Sequence, residues 1–194
     1  SIAPDSALME VGQSQVFTSF VSGGAPPYSY QWYLNGVAVS GGTSKDWIFT
    51  PTTAGAFEIH LNVTDTIAMR AKSNVVSATV NPPLSVLVNP ASVAMNIGQS
   101  VTFNSSVSGG VPPYLYQWYL NETAVMGATY ENWTFSPTSF GQYSICLKIT
   151  DGLAIVKQSN MIPVTVSPEL AISVAPVTAT MDVGQSLTFT SDAN

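Results

Sequence analysis

Gly23-Gly24-Ala25-Pro26-Pro27-Tyr28-Ser29-Tyr30-Gln31-Trp32-Tyr33-Leu34-Asn35 returns 86 residues later as Gly109-Gly110-Val111-Pro112-Pro113-Tyr114-Leu115-Tyr116-Gln117-Trp118-Tyr119-Leu120-Asn121. Each stretch reads as a turn running into a strand. Glycine admits positive φ and proline withholds a ladder donor, so Gly-Gly-x-Pro-Pro turns the chain. Beyond the turn, Tyr28, Tyr30, Trp32 and Leu34 share one face while Ser29, Gln31 and Tyr33 share the other. That period of two marks a strand buried on one side.

The recurrence extends outward from this stretch. Gly12-Gln13-Ser14, Gly98-Gln99-Ser100 and Gly184-Gln185-Ser186 also lie 86 residues apart. A fixed period without insertions marks an array of folding units. This period is too long for a solenoid repeat and suits one small domain per copy. We therefore expect a β-sandwich repeat over 1–82 and a second over 83–168. Residues 169–194 then form an incomplete third repeat of first strands only, or an inter-subunit strand. The chain also reads as a mature or excised fragment, since no signal peptide opens it.

Alternation continues through each copy. Gln15 to Ser22 reads as a strand centred on Phe17, with Phe103 its twin in Val101 to Ser108. Asn35-Gly36 is a strong hairpin-turn signal; Asn121-Glu122 in copy two implies a weaker turn or another type. Asp46 to Thr50 is a short strand with Trp47 and Phe49 on one face. Gly55 to Asp65 is a long strand with Phe57, Ile59, Leu61 and Val63 inward, and Ala68 to Val80 closes the unit. No convincing amphipathic helix is present. Strands at this spacing indicate an all-β fold of two-sheet sandwiches. Its core aromatics are Phe17, Trp32, Trp47, Phe103, Trp118 and Trp133.

Tyr28 to Gly36 resembles the C strand of an immunoglobulin-like domain. Gly55 to Asp65, and still better Gly141-Gln142-Tyr143-Ser144-Ile145-Cys146-Leu147-Lys148-Ile149-Thr150-Asp151, resembles the closing G-x-Y-x-V-x-L-x-V-x-D strand of a PKD (polycystic kidney disease) domain. The typical PKD W-x-F-G-D-G segment is absent. So is the immunoglobulin cysteine pair, with Phe17 and Ile59, then Phe103 and Ile145, at those positions. The resemblance implies tandem immunoglobulin-like, PKD-like sandwiches of archaeal or bacterial surface proteins. Such repeats act there as stalks, spacers, surface-layer or filament segments and adhesion modules.

Composition narrows the function classes. Charged residues are 8% of the chain, against roughly 25% in an average soluble protein. Five Lys+Arg and a net charge of −6 make no track for neutralising phosphates, so nucleic acid is not an expected partner. No apolar run reaches membrane-spanning length. The lone Cys146 forms no intrachain disulfide. Four sequons, at Asn62, Asn104, Asn121 and Asn132, are candidate N-glycosylation sites.

Catalytic and metal-binding signals are lacking. His60 is the only histidine, and its alternation with Ile59 and Leu61 turns it outward; Cys146 stands at the same place in copy two, as a solvent-edge thiol or one shielded by a neighbour. Asp65 and Asp151 each bring one carboxylate to a turn, a turn-forming role rather than a calcium cage. Asp5, Glu10 and Asp46 form no obvious cage. Tyr33 and Tyr119 are the outward aromatics available to a sugar or a partner. The expectation is a non-enzymatic, extracellular or cell-surface structural segment, with no catalytic, cofactor-binding or metal residues and no cofactor. It would be a stalk, sheath or filament whose partners are neighbouring copies or adjacent repeats. An adhesion module binding glycans or a protein, or a spacer for a catalytic domain elsewhere, is the alternative. Strand donation by Ala171 to Thr190 is the sharper form of the filament idea.

Overall fold

The structure, a computed structural model, describes residues 1–193. Every regular element among them is a β-strand. The first repeat carries β1 (Ile2–Ala3), β2 (Ser6–Glu10), β3 (Gln15–Ser19), β4 (Ser29–Leu34), β5 (Val37–Ala38), β6 (Trp47–Phe49), β7 (Gly55–Thr64), β8 (Arg70–Lys72) and β9 (Val76–Asn81). The second carries β10 (Ser85–Asn89), β11 (Val93–Asn96), β12 (Val101–Ser108), β13 (Leu115–Leu120), β14 (Thr123–Ala124), β15 (Asn132–Phe135), β16 (Gly141–Thr150), β17 (Val156–Gln158) and β18 (Ile162–Ser167). A last antiparallel pair, β19 (Ile172–Ala175) and β20 (Thr190–Ala193), follows.

Each repeat splits its strands between a three-stranded and a six-stranded sheet. In the first these run β1-β3-β6 and β2-β9-β7-β4-β5, with β8 also on β7; in the second, β10-β12-β15 and β11-β18-β16-β13-β14, with β17 also on β16. The first strand of each repeat divides between the sheets. Before Pro4, Ile2 and Ala3 pair antiparallel with β3; after it, β2 runs parallel to β9. Proline has no N–H for either ladder, so the switch falls there. These opening strands lack a clean apolar–polar alternation in sequence, as in Val86-Leu87-Val88, so the pattern does not announce them.

Two other expectations need correction. Ala68 to Val80 is two strands, because Ser73 and Asn74 break it. The Ser73 hydroxyl accepts the Leu61 amide at 2.9 Å, and the Asn74 side chain both accepts from the Ile2 amide and donates to its carbonyl. Asn121-Glu122 keeps the turn of Asn35-Gly36. The φ angles are 49° and 78° in the first pair and 48° and 65° in the second, the doubly positive signature of a type I′ hairpin. Asn35 and Asn121 fix it by accepting the Glu58 and Ser144 amides, each at 2.8 Å.

The cores superpose by position. Ile2, Met9, Phe17, Trp32, Phe49 and Ile59 are buried in the first, and Val88, Met95, Phe103, Trp118, Phe135 and Ile145 in the second. Trp32 and Trp118 are fully buried, each donating its indole N–H to a backbone carbonyl, of Ser44 and Tyr130. A buried tryptophan without such an acceptor would forfeit a hydrogen bond. Phe17, Trp32 and Trp47 form a ring cluster with centroids 5.7–6.5 Å apart. Phe103, Trp118 and Trp133 repeat it at 5.9–6.4 Å. Trp47 and Trp133 are half-buried, closing the clusters at the surface.

By contacts the chain falls into two compact units. One comprises 1–86 with 107–115 and 149–158; the other comprises 87–106, 116–148 and 159–194.

Candidate functional site

A cavity of about 520 Å³ lies in the first unit where the Gly23–Tyr28 loop meets the turn after β7. Its floor is Leu61 and Val63, and its wall includes Gly24, Ile67 and Met69. Asp65 organises it. One carboxylate oxygen accepts the amides of Ile67 and Met69 at 3.0 and 2.9 Å, closing the turn; the other accepts the Ala25 amide at 3.0 Å, tying the two loops together. The Ala25 amide leads in holding this carboxyl below the usual range, against a smaller opposing effect of burial. The sequence reading of a turn-forming aspartate covers only half of that role.

The same unit contains a second version of the site, 86 residues on. Asp151 accepts the amides of Leu153 and Ile155, both at 2.9 Å, and of Val111 at 2.9 Å. Here the concavity is filled. The Gly110 amide donates to the Pro82 carbonyl at 2.9 Å, Leu84 is 4% exposed, and the Leu84 amide reaches the Glu10 carboxylate at 3.3 Å. Glu10 is itself buried at 5% exposure. Burial, and then the Asp151 carboxyl against it, pushes its carboxyl upward against the Leu84 amide. For Asp151 burial also pushes upward, but the amides of Val111 and Ile155, the neighbouring Glu10 carboxyl and the Leu153 amide together leave it below the usual range. No role for Glu10 is legible in the sequence, because its partner is distant along the chain and no local spacing announces the pair.

The outward aromatics are engaged. Tyr33 stacks on His60 with centroids 4.8 Å apart and planes 4° apart. The Lys148 amine sits 4.5 Å over the Tyr119 ring. His60 is half-buried, and burial, helped by Lys72 and opposed by Glu58, lowers its pKa. Cys146 corrects the solvent-edge reading: it is 4% exposed, and burial raises its thiol pKa. A short side chain sinks beneath longer neighbours on a pleated face, where the imidazole at the equivalent place cannot.

Among the sequon asparagines, Asn62 is half-buried on β7 beside a shallow depression of about 200 Å³. Asn104, Asn121 and Asn132 are exposed. No group of three or more His, Cys, Asp or Glu side chains is placed to hold a metal ion among the described residues. No helix among them is long and apolar enough to cross a membrane.

No family model matches the chain. It is 32% identical over 148 residues, 72% of its length, to the highly immunogenic outer capsid protein of Enterobacteria phage T4, covering 38% of that protein. It is 31% identical over 91 residues, 45% of its length, to the decoration protein of Escherichia phage T5, covering 54% of that protein. The chain thus spans about half or less of the curated relatives it matches. A three-immunoglobulin-domain structure of titin matches 97% of the chain and 84% of its own length, at a TM-score of 0.59 and 14% identity. That likeness concerns the fold alone, and the fold is a tandem immunoglobulin-like β-sandwich.

Proposed function

We propose that this chain is a non-catalytic run of immunoglobulin-like domains displayed on the outside of a virus particle, within a protein that decorates a capsid. The observation that carries the reading is the 148-residue match to an outer capsid protein, which is longer than one 86-residue copy and so extends over more than a single sandwich. The match to a decoration protein, about one copy long, points the same way. The duplicated sandwich suits display: each copy repeats the core and spacing while its surface drifts, as in Lys45 against Glu131 and Ser29 against Leu115. The protein partner on this reading is a capsid shell.

The cell-surface stalk, sheath or filament, of PKD type and archaeal or bacterial origin, rests on the sequence resemblance and is the second reading. Glycan contact through Tyr33 and Tyr119 is less favoured, because His60 and Lys148 already cover those rings. Immunogold electron microscopy separates the two main readings. Antibody raised against the purified chain should label the outer face of virus particles from the source sample. Label confined to cell envelopes or fibres would reject the capsid reading in favour of the stalk.

A further inference from the structure

The two Asp-centred loop sites of the first unit are one socket in two states. Ala25 and Val111, Val63 and Ile149, and Asp65 and Asp151 are equivalent pairs, and in each the first is half-buried and the second buried. Ile67 and Met69, exposed at 70% and 66%, correspond to the half-buried Leu153 and Ile155. The linker Pro82-Pro83-Leu84 covers the second socket, with Glu10 beside it. Its glycines record how tightly. A Cβ on Gly109 would strike the Pro83 carbonyl oxygen, and one on Gly110 would come within 2.8 Å of the Leu84 side chain. At the open socket a Cβ on Gly23 meets nothing within 4 Å, and one on Gly24 meets Asp65 at 3.1 Å.

We propose that the open 520 Å³ socket is a docking site for the Pro-x-Leu linker that closes another β-sandwich copy of this kind. The leucine fills the apolar floor over Val63. The carbonyl of the first proline accepts the Gly24 amide, as Pro82 accepts from Gly110. The incoming copy places a carboxyl side chain against Asp65, as Glu10 stands against Asp151. Arg70 and Lys72, which line the open socket where Val156 and Gln158 stand in the second copy, attract that carboxyl. Phe20, 64% exposed where the second copy has Ser106, widens the apolar rim. A socket with an apolar floor, one waiting amide donor and a turn carboxylate beside Arg70 and Lys72 matches this linker in shape and polarity. The assignment stands whether or not the chain rides on a capsid.

The test is a full chain with residues 1–86 repeated once, in register, ahead of Ser1, compared with the original chain by amide hydrogen exchange. Docking should slow exchange at Gly24 and across 65–72 by about tenfold or more, since exchange reports local opening. A Gly23→Ala change isolates the contact. It carries the same left-handed backbone strain in both chains, but only in the extended chain does the new methyl meet the linker carbonyl. It should therefore abolish the protection there while both chains stay folded. Unchanged exchange in the extended chain, or protection that survives Gly23→Ala, would overturn the proposal. Sedimentation of the original chain supplies the competing occupant: a dimer lost on Gly23→Ala would assign the socket to a second copy's surface instead.

Discussion

Cys146 and His60 occupy one position of the repeat and meet opposite fates. The imidazole stacks on Tyr33, whereas the thiol lies 4% exposed, with its pKa raised by burial despite the opposing pull of Lys148. Reactivity at cysteine follows thiolate fraction and access, and both are suppressed here. Iodoacetamide should therefore label Cys146 in the native chain about tenfold or more slowly than in the denatured chain at the same pH. Equal rates in the two states would show that the thiol is open. Alternation told which face each residue takes, but not how deep it sits on that face. Depth depends on the lengths of cross-strand neighbours, which a single strand's pattern does not contain. The same limit hid Glu10: its burial arises from Leu84 and Asp151, 74 and 141 positions away.

Elements were legible where the chain signals locally. The strands around Trp32 and Trp118, and the long β7 and β16, follow from alternation bounded by Gly, Pro and Asn. What failed was anything set by partners: the split first strand, the parallel β2–β9 pairing and the break at Ser73-Asn74, which exists because those side chains serve Leu61 and Ile2. The β13–β14 turn shows the reverse case, in which the partner overrides the local signal. Glu122 is held at φ 65° by the same asparagine bond that holds Gly36 at 78° in the first repeat. A side chain in that region costs roughly 1–2 kcal/mol, which glycine avoids at a smaller cost in unfolded-chain entropy. Glu122→Gly should then stabilise the chain by about 0.5–1 kcal/mol in chemical denaturation. A loss of stability would mean that the Glu122 side chain makes a contribution the turn geometry does not reveal.

For the molecule as a whole, the repeat reads correctly as a conserved core with a drifting surface, and the loop end is where the two copies part. One socket is closed by Pro82-Pro83-Leu84 and by a carboxyl pair, and that pair couples stability to pH. Glu10 Oε1 is buried with no hydrogen-bond partner of its own while Asp151 lies against it. A proton on Glu10 turns that contact from repulsion into a bond. Because the folded-state pKa of Glu10 is raised, its contribution is fully present below the ordinary carboxylate range and is lost as pH rises through the raised value. Asp151 has the opposite sign: its net lowered pKa adds stability above the ordinary range, lost as pH falls through the folded value. Glu10→Gln separates the two, since the amide can donate to Asp151 and accept from Leu84 at every pH. Above the Glu10 transition the variant should exceed the original chain by about 1 kcal/mol, the scale of satisfying one buried polar group. The difference should vanish as pH falls to where Glu10 is protonated in both folded and unfolded chains, while the acid loss due to Asp151 persists in both. Urea melts across that range decide it: a constant offset between the two chains would separate Glu10 from any proton-dependent closure of the socket.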